Sequence, residues 1–231
     1  MMKKFMALGL AVVLAAAALT GCGNSAAKKT VKVIDVNLTD EEYAFGVDKT
    51  QPELLDSVNA FIKEIKDNGT FDEICNHYFG DGTPVAVTSA ALDDSKDQLL
   101  VATNAAFEPF EYMQGESYYG IDMEIAAALA QYLGKELVIQ NMDFDAVCLS
   151  VGQQKCDIAM AGLTVREDRK EYVNFSDSYY SASQKLIVLS DDTEFDSCKT
   201  ADDVAALLAA KDASVKVGVQ TGTTGQLYVE G

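Results

Sequence analysis

Histidine, tryptophan, proline and basic residues are all scarce in this sequence. The 231 residues include one histidine, no tryptophan, three prolines, and 18 lysines and arginines against 36 aspartates and glutamates. The single imidazole, His77, excludes a metal site built from several histidines and disfavours a triad that needs a histidine base. A formal net charge of −18 at pH 7 repels phosphate backbones, so we expect no nucleic-acid partner.

Long apolar runs are missing too, apart from one at the N-terminus. After two lysines this run covers about 15 residues, which is short of the roughly 20 that a spanning helix needs. It ends in Leu-Thr-Gly-Cys, and a small-residue cleavage site before Cys22 resembles a bacterial lipobox, whose cysteine receives a diacylglyceryl group. We therefore predict a signal peptide over residues 1–21, a lipid on Cys22 and a flexible tether over residues 22–30. An ordinary signal peptide with a chance cysteine is the alternative.

Four further cysteines have a spacing that matches no zinc-binding pattern. They are Cys75, Cys148, Cys156 and Cys198. Cys148 and Cys156 have apolar neighbours in the sequence, which favours buried thiols over a disulfide bridge. We expect neither a metal nor another cofactor.

Strand and helix patterns alternate along most of the chain. Apolar residues three and four positions apart predict an amphipathic helix between Pro52 and Asn68. Thr70 and Glu73 predict a capping box for a second helix, and Asp122 is a candidate cap for a third. Further helices are predicted over 145–151 and 200–210, and strands over 31–36, 43–47, 99–103, 137–140, 157–161, 185–189 and 215–219. The alternation is typical of an α/β protein with largely parallel sheets, in which ligands gather at the carboxyl ends of strands.

Five segments together resemble the family 3 bacterial extracellular solute-binding proteins, the receptors of polar amino acid ABC importers. The segments are VATNAAFEPFEY (101–112), GIDMEIAAALAQYLG (120–134), MDFDAV (142–147), CDIAMAGLTVREDRKEYVNFSDSYY (156–180) and KVGVQTGTTG (216–225). They occur in the family's order with near-family spacing. The resemblance implies an α/β, two-lobed, periplasmic-binding-protein-like II fold, with the first lobe complete and the second incomplete.

One segment departs from the family's order. Residues 43–80 resemble the part that closes these proteins at their C-terminus, yet here they precede the first lobe. Circular permutation is the simplest account, since it is tolerated where termini lie close together on a surface. A fused leftover duplicate is the alternative. The sequence also stops at Gly231, where the family would continue, so we expect a C-terminal truncation.

The resemblance also implies a division of the chain. Residues 31–42 would supply a second-lobe strand, residues 43–189 the first lobe with its hinge strands, and residues 190–231 part of the second lobe.

An amino acid zwitterion must exchange its hydration for fixed partners when it is buried. Arginine suits the α-carboxylate because its planar fork can bond both oxygens. The family pattern places the ligand arginine five residues after the threonine of AGLTV, which implies Arg169 and leaves Arg166 in solvent. On the residues alone, an arginine in REDRKE is an ordinary surface residue.

Other ligand contacts are also implied by the resemblance. Thr164 would offer its hydroxyl and N–H, the carbonyl of Gly162 would accept from the ammonium, and Thr224 would meet the carboxylate at a helix start. Phe107 and Phe144 would sandwich the ligand side chain. Without the family, these phenylalanines could equally be core residues.

Asn104 and Gln220 bear on which amino acid is bound. Glutamine-binding relatives carry an acid and a lysine at these positions, and both are neutral here. A cationic ligand needs a buried acid, so lysine or arginine is disfavoured unless Glu108 or Glu111 turns inward. We therefore expect an uncharged polar side chain. The acid that relatives use for the α-ammonium is expected beyond Gly231.

Together these features predict an extracytoplasmic, monomeric binding protein, held at the membrane by lipid on Cys22. It would deliver a free amino acid to the permease of an ABC importer, and we do not expect it to be an enzyme. A cyclohexadienyl dehydratase-like enzyme is an alternative, because the same fold hosts one, and it would need a general acid or base in the cleft. A sensor ectodomain is another alternative.

Overall fold

Two separate hydrophobic cores organise residues 29–230, the part of the chain that the computed structural model describes. The first core lies around a central sheet with helices on its faces. The second, smaller core lies between a two-stranded antiparallel sheet and one helix. The predicted signal peptide and Cys22 lie outside the described residues.

The described elements follow the predicted alternation in most places. In chain order they are β1 (Val31–Val33), β2 (Glu41–Tyr43), β3 (Gly46–Asp48), α1 (Pro52–Asp67), α2 (Thr70–Phe79), β4 (Gln98–Thr103), β5 (Ala106–Phe107), β6 (Glu111–Gln114), β7 (Ser117–Tyr119), α3 (Ile121–Leu133), β8 (Glu136–Asn141), α4 (Phe144–Gly152), β9 (Ile158–Ala159), a 3₁₀ turn (Arg169–Glu171), β10 (Val173–Phe175), β11 (Tyr180–Ala182), β12 (Ile187–Leu189), α5 (Ala201–Ala209) and α6 (Thr224–Glu230).

The central sheet is mixed rather than largely parallel. Its strand order is β10-β3-β9-β4-β8, and β4 runs parallel to both β8 and β9. β3 runs antiparallel to β9 and β10, because the chain enters this sheet from the carboxyl end of the parallel strands. The predicted α/β class is confirmed, but the expectation of largely parallel pairing is wrong at this edge.

Helix α1 confirms the periodicity read from the sequence. Its buried side chains, spaced three and four residues apart, are Val58, Phe61, Ile62 and Ile65. Together with α2 it packs against α3 on the sheet. Because β3 lies inside the sheet, the segment 43–80 is an integral part of the first core, as circular permutation requires.

Two predicted helix caps are wrong. Gly69, with φ +83°, precedes α2, and Thr70 is the first helical residue without a capping hydrogen bond. Gly120 precedes α3, whereas Asp122 is fully buried and bonds elsewhere. In both cases a glycine supplies the backbone conformation at the helix start, so a polar side chain is not needed there.

The second core contains five buried residues: Ile34, Val36, Phe195, Cys198 and Val204. Strands β1 and β12 pair antiparallel beside it, and Thr200 caps α5 with a capping box. The predicted strand over residues 215–219 is wrong, because no strand among residues 29–230 pairs with it. Its alternating valines, at 215, 217 and 219, are exposed.

The chain passes between the cores twice. Strands β2 and β11 pair antiparallel, and the amide of Leu38 donates to the carbonyl of Gln184 at 2.9 Å. Leu186 already packs on the second core, so the change from one core to the other occurs between β11 and this residue.

The four cysteines in the described residues are free thiols, as predicted for Cys148 and Cys156, which are both buried. Between residues 29 and 230, the helices lack the combination of length and apolar character that a membrane crossing requires.

Candidate functional site

A cavity of about 720 Å³ opens between the two cores. The structure brings together around it all the residues that the sequence implied as ligand contacts. They are Asn104, Phe107, Phe144, Gly162, Thr164, Arg169, Gln220 and Thr224. Their convergence from both sides of the cavity makes it the candidate site, although their role as ligand contacts stays a prediction.

Arg169 is buried at the start of the 3₁₀ turn that precedes β10 of the central sheet. Its Nη1 donates to the carbonyl of Thr164 at 2.8 Å, and its Nη2 donates to the carbonyl of Gly222 at 3.1 Å. The guanidinium carbon lies 5.2 Å from the ring centroid of Phe144, within cation–π range. An arginine has five N–H donors, so three remain for a carboxylate. Arg169 therefore lines the cavity, and its role as the partner of a carboxylate stays a prediction.

Arg166 was expected to point to solvent, but its side chain is mostly covered. Only 15% of its side chain is exposed, and its guanidinium forms two bonds with Asp168, at 3.0 and 2.6 Å. Its Nη1 donates to the carbonyl of Gly222 at 3.1 Å. The expectation failed because this acceptor comes from a loop more than 50 residues away in sequence.

Thr164 is connected to both sides of the cavity. Its hydroxyl donates to Glu41 at 2.6 Å and lies 3.3 Å from the hydroxyl of Thr224. Glu41 lines the cavity with 4% of its surface exposed. The sequence analysis missed Glu41, since an acid at the start of a short polar strand carries no distinguishing signal.

Gly162 adopts φ +52°, in the left-handed region that favours glycine. A Cβ there would lie 3.1 Å from the ring of Phe107, so the close approach of this ring also requires glycine. The amide of Gly162 donates to Asp122 at 2.8 Å, and the hydroxyl of Tyr179 donates to the same carboxyl at 2.6 Å. Burial raises the pKa of Asp122 to about 6, although both of these bonds favour the charged form.

The two neutral residues thought to bear on specificity bond to each other. Gln220 donates from Nε2 to Oδ1 of Asn104 at 2.8 Å. Asn104 in turn donates to the carbonyl of Met142 at 2.7 Å. This pair therefore bridges the two sides of the cavity.

Glu111 is the buried acid whose inward turn the sequence analysis named as a condition for a cationic ligand. It lines the cavity yet has no exposed surface. Within residues 29–230, neither carboxylate oxygen accepts a hydrogen bond. Burial raises the pKa of Glu111 well above its usual range, and the charge of Asp122 raises it further. Most buried carboxyl groups have partners, so this one needs a physical explanation.

The sequence of this chain is similar to the sequences of known proteins. Residues 99–230 match the model of the bacterial extracellular solute-binding proteins, family 3. The arginine-binding extracellular protein ArtP of Bacillus subtilis is 34% identical over 142 residues, which are 61% of this chain and 51% of that protein. The arginine-binding periplasmic protein of Mannheimia haemolytica is 29% identical over 144 residues, which are 62% of this chain and 51% of that protein.

Among solved structures, an ancestral arginine-binding protein bound to arginine is 36% identical, with a TM-score of 0.35 and coverage of 37% of this chain and 38% of that one. The chain spans about half the length of the curated relatives it matches. The family model covers more than half of the present sequence, including most of the residues that line the cavity. The chain therefore belongs to the bacterial extracellular solute-binding proteins of family 3.

Proposed function

We propose that this protein captures a cationic amino acid outside the cell and delivers it to the permease of an ABC importer. The observation that carries the proposal is Glu111, a carboxyl group in the cavity wall without a hydrogen-bond partner among the described residues. The names of the relatives, which bind arginine, point the same way. The proposal replaces the uncharged side chain expected from the sequence.

The charges of the buried cavity residues complement such a ligand. The wall holds one buried arginine, Arg169, and two buried acids, Glu41 and Glu111. A cationic amino acid carries one carboxylate and two cationic groups, the reverse of this arrangement. Opposite charges that meet in a buried site bind strongly only when hydrogen bonds also form, and a guanidinium can give both oxygens of Glu111 a donor.

Each end of the ligand has a proposed partner. Arg169 would bond the α-carboxylate with its remaining N–H groups, assisted by the hydroxyls of Thr164 and Thr224. The carbonyl of Gly162 would accept from the α-ammonium. Phe107, 40% exposed and stacked on a neighbouring ring, would cover one side of the aliphatic stem.

Phe144, beneath the guanidinium of Arg169, would cover the other side of the stem. Asn104 and Gln220 would bond polar atoms of the ligand where the two sides of the cavity meet.

Arginine and citrulline test this assignment, because they differ mainly in that a neutral urea group replaces the guanidinium. Calorimetry on the whole chain should give an affinity for arginine that exceeds that for citrulline by about one to two decades, since hydrogen bonds between charged groups contribute roughly 1.5–3 kcal/mol. Glutamine should bind as weakly as citrulline. Equal affinities for arginine and citrulline would overturn the assignment of Glu111.

The location outside the cell and the lipid anchor form a separate part of the proposal. The lipobox-like residues before Cys22 and the extracellular description of the family support it. Expression in a bacterium with a lipoprotein pathway should give a diacylglyceryl group on Cys22 by mass spectrometry. Cys22→Ser should release the protein from the membrane fraction, and an unmodified cysteine would contradict the anchor.

We propose binding rather than catalysis because the curated relatives above are named as binding proteins. Recovery of unchanged arginine after long incubation would support this, and a new product would favour the dehydratase-like alternative. We also retain circular permutation and the division into residues 31–42, 43–189 and 190–231 as proposals. The position of β3 inside the central sheet supports the permutation.

A further inference from the structure

The loop between residues 220 and 224 contacts the first core at three places. Gln220 bonds Asn104, Thr224 bonds Thr164, and the carbonyl of Gly222 lies between them. That carbonyl accepts one hydrogen bond from each of two guanidinium groups, both at 3.1 Å. A carbonyl oxygen has two lone pairs. Both lone pairs of one backbone oxygen are therefore used to join this loop to the first lobe.

The two arginines that meet at Gly222 have different surroundings. Arg169 lines the cavity, whereas Arg166 is absent from the cavity wall. Asp168 bonds Arg166 at both Nε and Nη2, which fixes the plane of the guanidinium. The remaining Nη1 is thereby aimed at the Gly222 carbonyl. Arg166 is thus preorganised for a backbone acceptor rather than for a ligand.

We propose that Arg166 is a positioning residue that clamps the 220–224 loop over the cleft through the Gly222 carbonyl. Asp168 holds the guanidinium in place for this bond. With the loop held by Arg166, Arg169 can turn its N–H groups to a ligand carboxylate without releasing the second lobe. The ligand part of this inference rests on the proposed function, but the clamp itself does not.

The backbone of Gly222 supports a fixed position for the loop. Its φ of +79° lies in the left-handed region, and a Cβ would come within 3.2 Å of the side chain of Asp145 at the start of α4. A glycine here lets the loop pack closely on the first lobe and turns its carbonyl towards the arginines. The amide of the same residue donates to the side chain of Gln226 at 2.7 Å, so both of its polar groups are bonded.

Hydrogen exchange without ligand tests the clamp directly. In Arg166→Ala the amides of residues 222–227 should exchange about five- to tenfold faster, as expected for the loss of one charge-assisted hydrogen bond. Lys170→Ala is the matched control, because this exposed side chain pairs with Glu167 and, among residues 29–230, does not bond the loop, so the loop should stay unchanged. Asp168→Asn should give an intermediate increase. Unchanged exchange in Arg166→Ala would overturn the proposal.

Arg166→Lys provides a second variant if alanine impairs folding. An ammonium cannot bond Asp168 and Gly222 with the same planar geometry, so faster loop exchange is expected while the melting curve stays close to that of the wild type. If exchange in this folded variant equals that of the wild type, the clamp is wrong.

Stopped-flow kinetics with arginine then separate the clamp from the proposed function. Arg166→Ala should raise the dissociation rate about tenfold, because the loop that covers the cleft loses one of its bonds to the first core. A wild-type chain that binds no arginine would refute the proposed function, while the exchange experiment would still decide on the clamp. If the wild type and Arg166→Ala bind arginine with the same dissociation rate, the clamp alone is refuted.

Discussion

Replacement of Glu111 by methionine should make the protein more stable while it removes the affinity for arginine. Methionine has nearly the length of glutamate and needs no hydrogen bond. Glu111 has no exposed surface, and neither of its oxygens has a partner among residues 29–230. A buried polar group without a partner costs roughly 1–3 kcal/mol, so Glu111→Met should gain stability in this range.

The gain should also depend on pH. The pKa of Glu111 is raised in the folded protein, mainly by burial, so the folded state holds a proton that the unfolded state has released. The wild type therefore loses stability as pH rises from about 4.5 towards the folded pKa, whereas the methionine variant lacks this contribution. The difference in unfolding free energy between the variant and the wild type should be larger at pH 8 than at pH 5.

Urea unfolding followed by circular dichroism measures both effects. Glu116→Met is a suitable control, since Glu116 is exposed in the turn of the same hairpin and should change stability by less than about 0.5 kcal/mol. Calorimetry should show that Glu111→Met no longer prefers arginine over citrulline. A variant less stable than the wild type, or a gain that is equal at both pH values, would refute the reasoning about an unpaired acid.

Three further predictions concern other parts of the structure. Arg169→Ala should lose roughly 3–5 kcal/mol of arginine affinity by calorimetry, and Arg169→Lys should lose much of it because an ammonium lacks the planar fork; an effect no larger than that of Lys170→Ala would contradict the carboxylate role. The pKa of Asp122 is about 6 in the folded protein, against 3.8 for an ordinary aspartate. The contribution of Asp122 to stability is therefore largest below pH 3.8 and is lost as pH rises to about 6. Relative to Asp122→Asn, the wild type should therefore lose about 3 kcal/mol between pH 3 and pH 7 in urea titrations, at 1.4 kcal/mol per unit; parallel curves would show that the carboxyl is not buried as described. Phe61→Ala should cost roughly 3–5 kcal/mol in the same assay if the segment 43–80 belongs to the core, and a loss below about 1 kcal/mol would indicate a detached segment.

Local patterns in the sequence predicted the elements whose formation depends on near neighbours. Helix α1 was predicted because Val58, Phe61, Ile62 and Ile65 repeat at helical spacing, and this face is buried in the structure. Arg169 was selected only through the family resemblance, which places an arginine five residues after Thr164. Its orientation into the cleft then follows from the turn that carries it.

Features that depend on distant partners could not be predicted in the same way. Arg166 is mostly covered rather than solvated, and one of its partners, the Gly222 carbonyl, comes from a distant part of the chain. The alternating valines of residues 215–219 have the pattern of a strand but lack a pairing strand among the described residues. Glu111 faces inward on a strand that packs closely against the start of α3. A Cβ at Gly120 would lie 2.1 Å from the carbonyl oxygen of Phe110.

The buried carboxyl group of Asp122 connects two distant parts of the structure. It holds the Gly162 peptide in the cleft and the Tyr179 hydroxyl beside the passage between the cores. The ring of Tyr179 stacks on Phe45 with centroids 4.4 Å apart, and its amide bonds the carbonyl of Tyr43. Tyr179 belongs to the first core, so a single buried side chain connects that core to the Gly162 peptide of the cleft. Loss of this carboxyl group would remove the partner of two polar groups at once, the Gly162 amide at the cleft and the Tyr179 hydroxyl in the core.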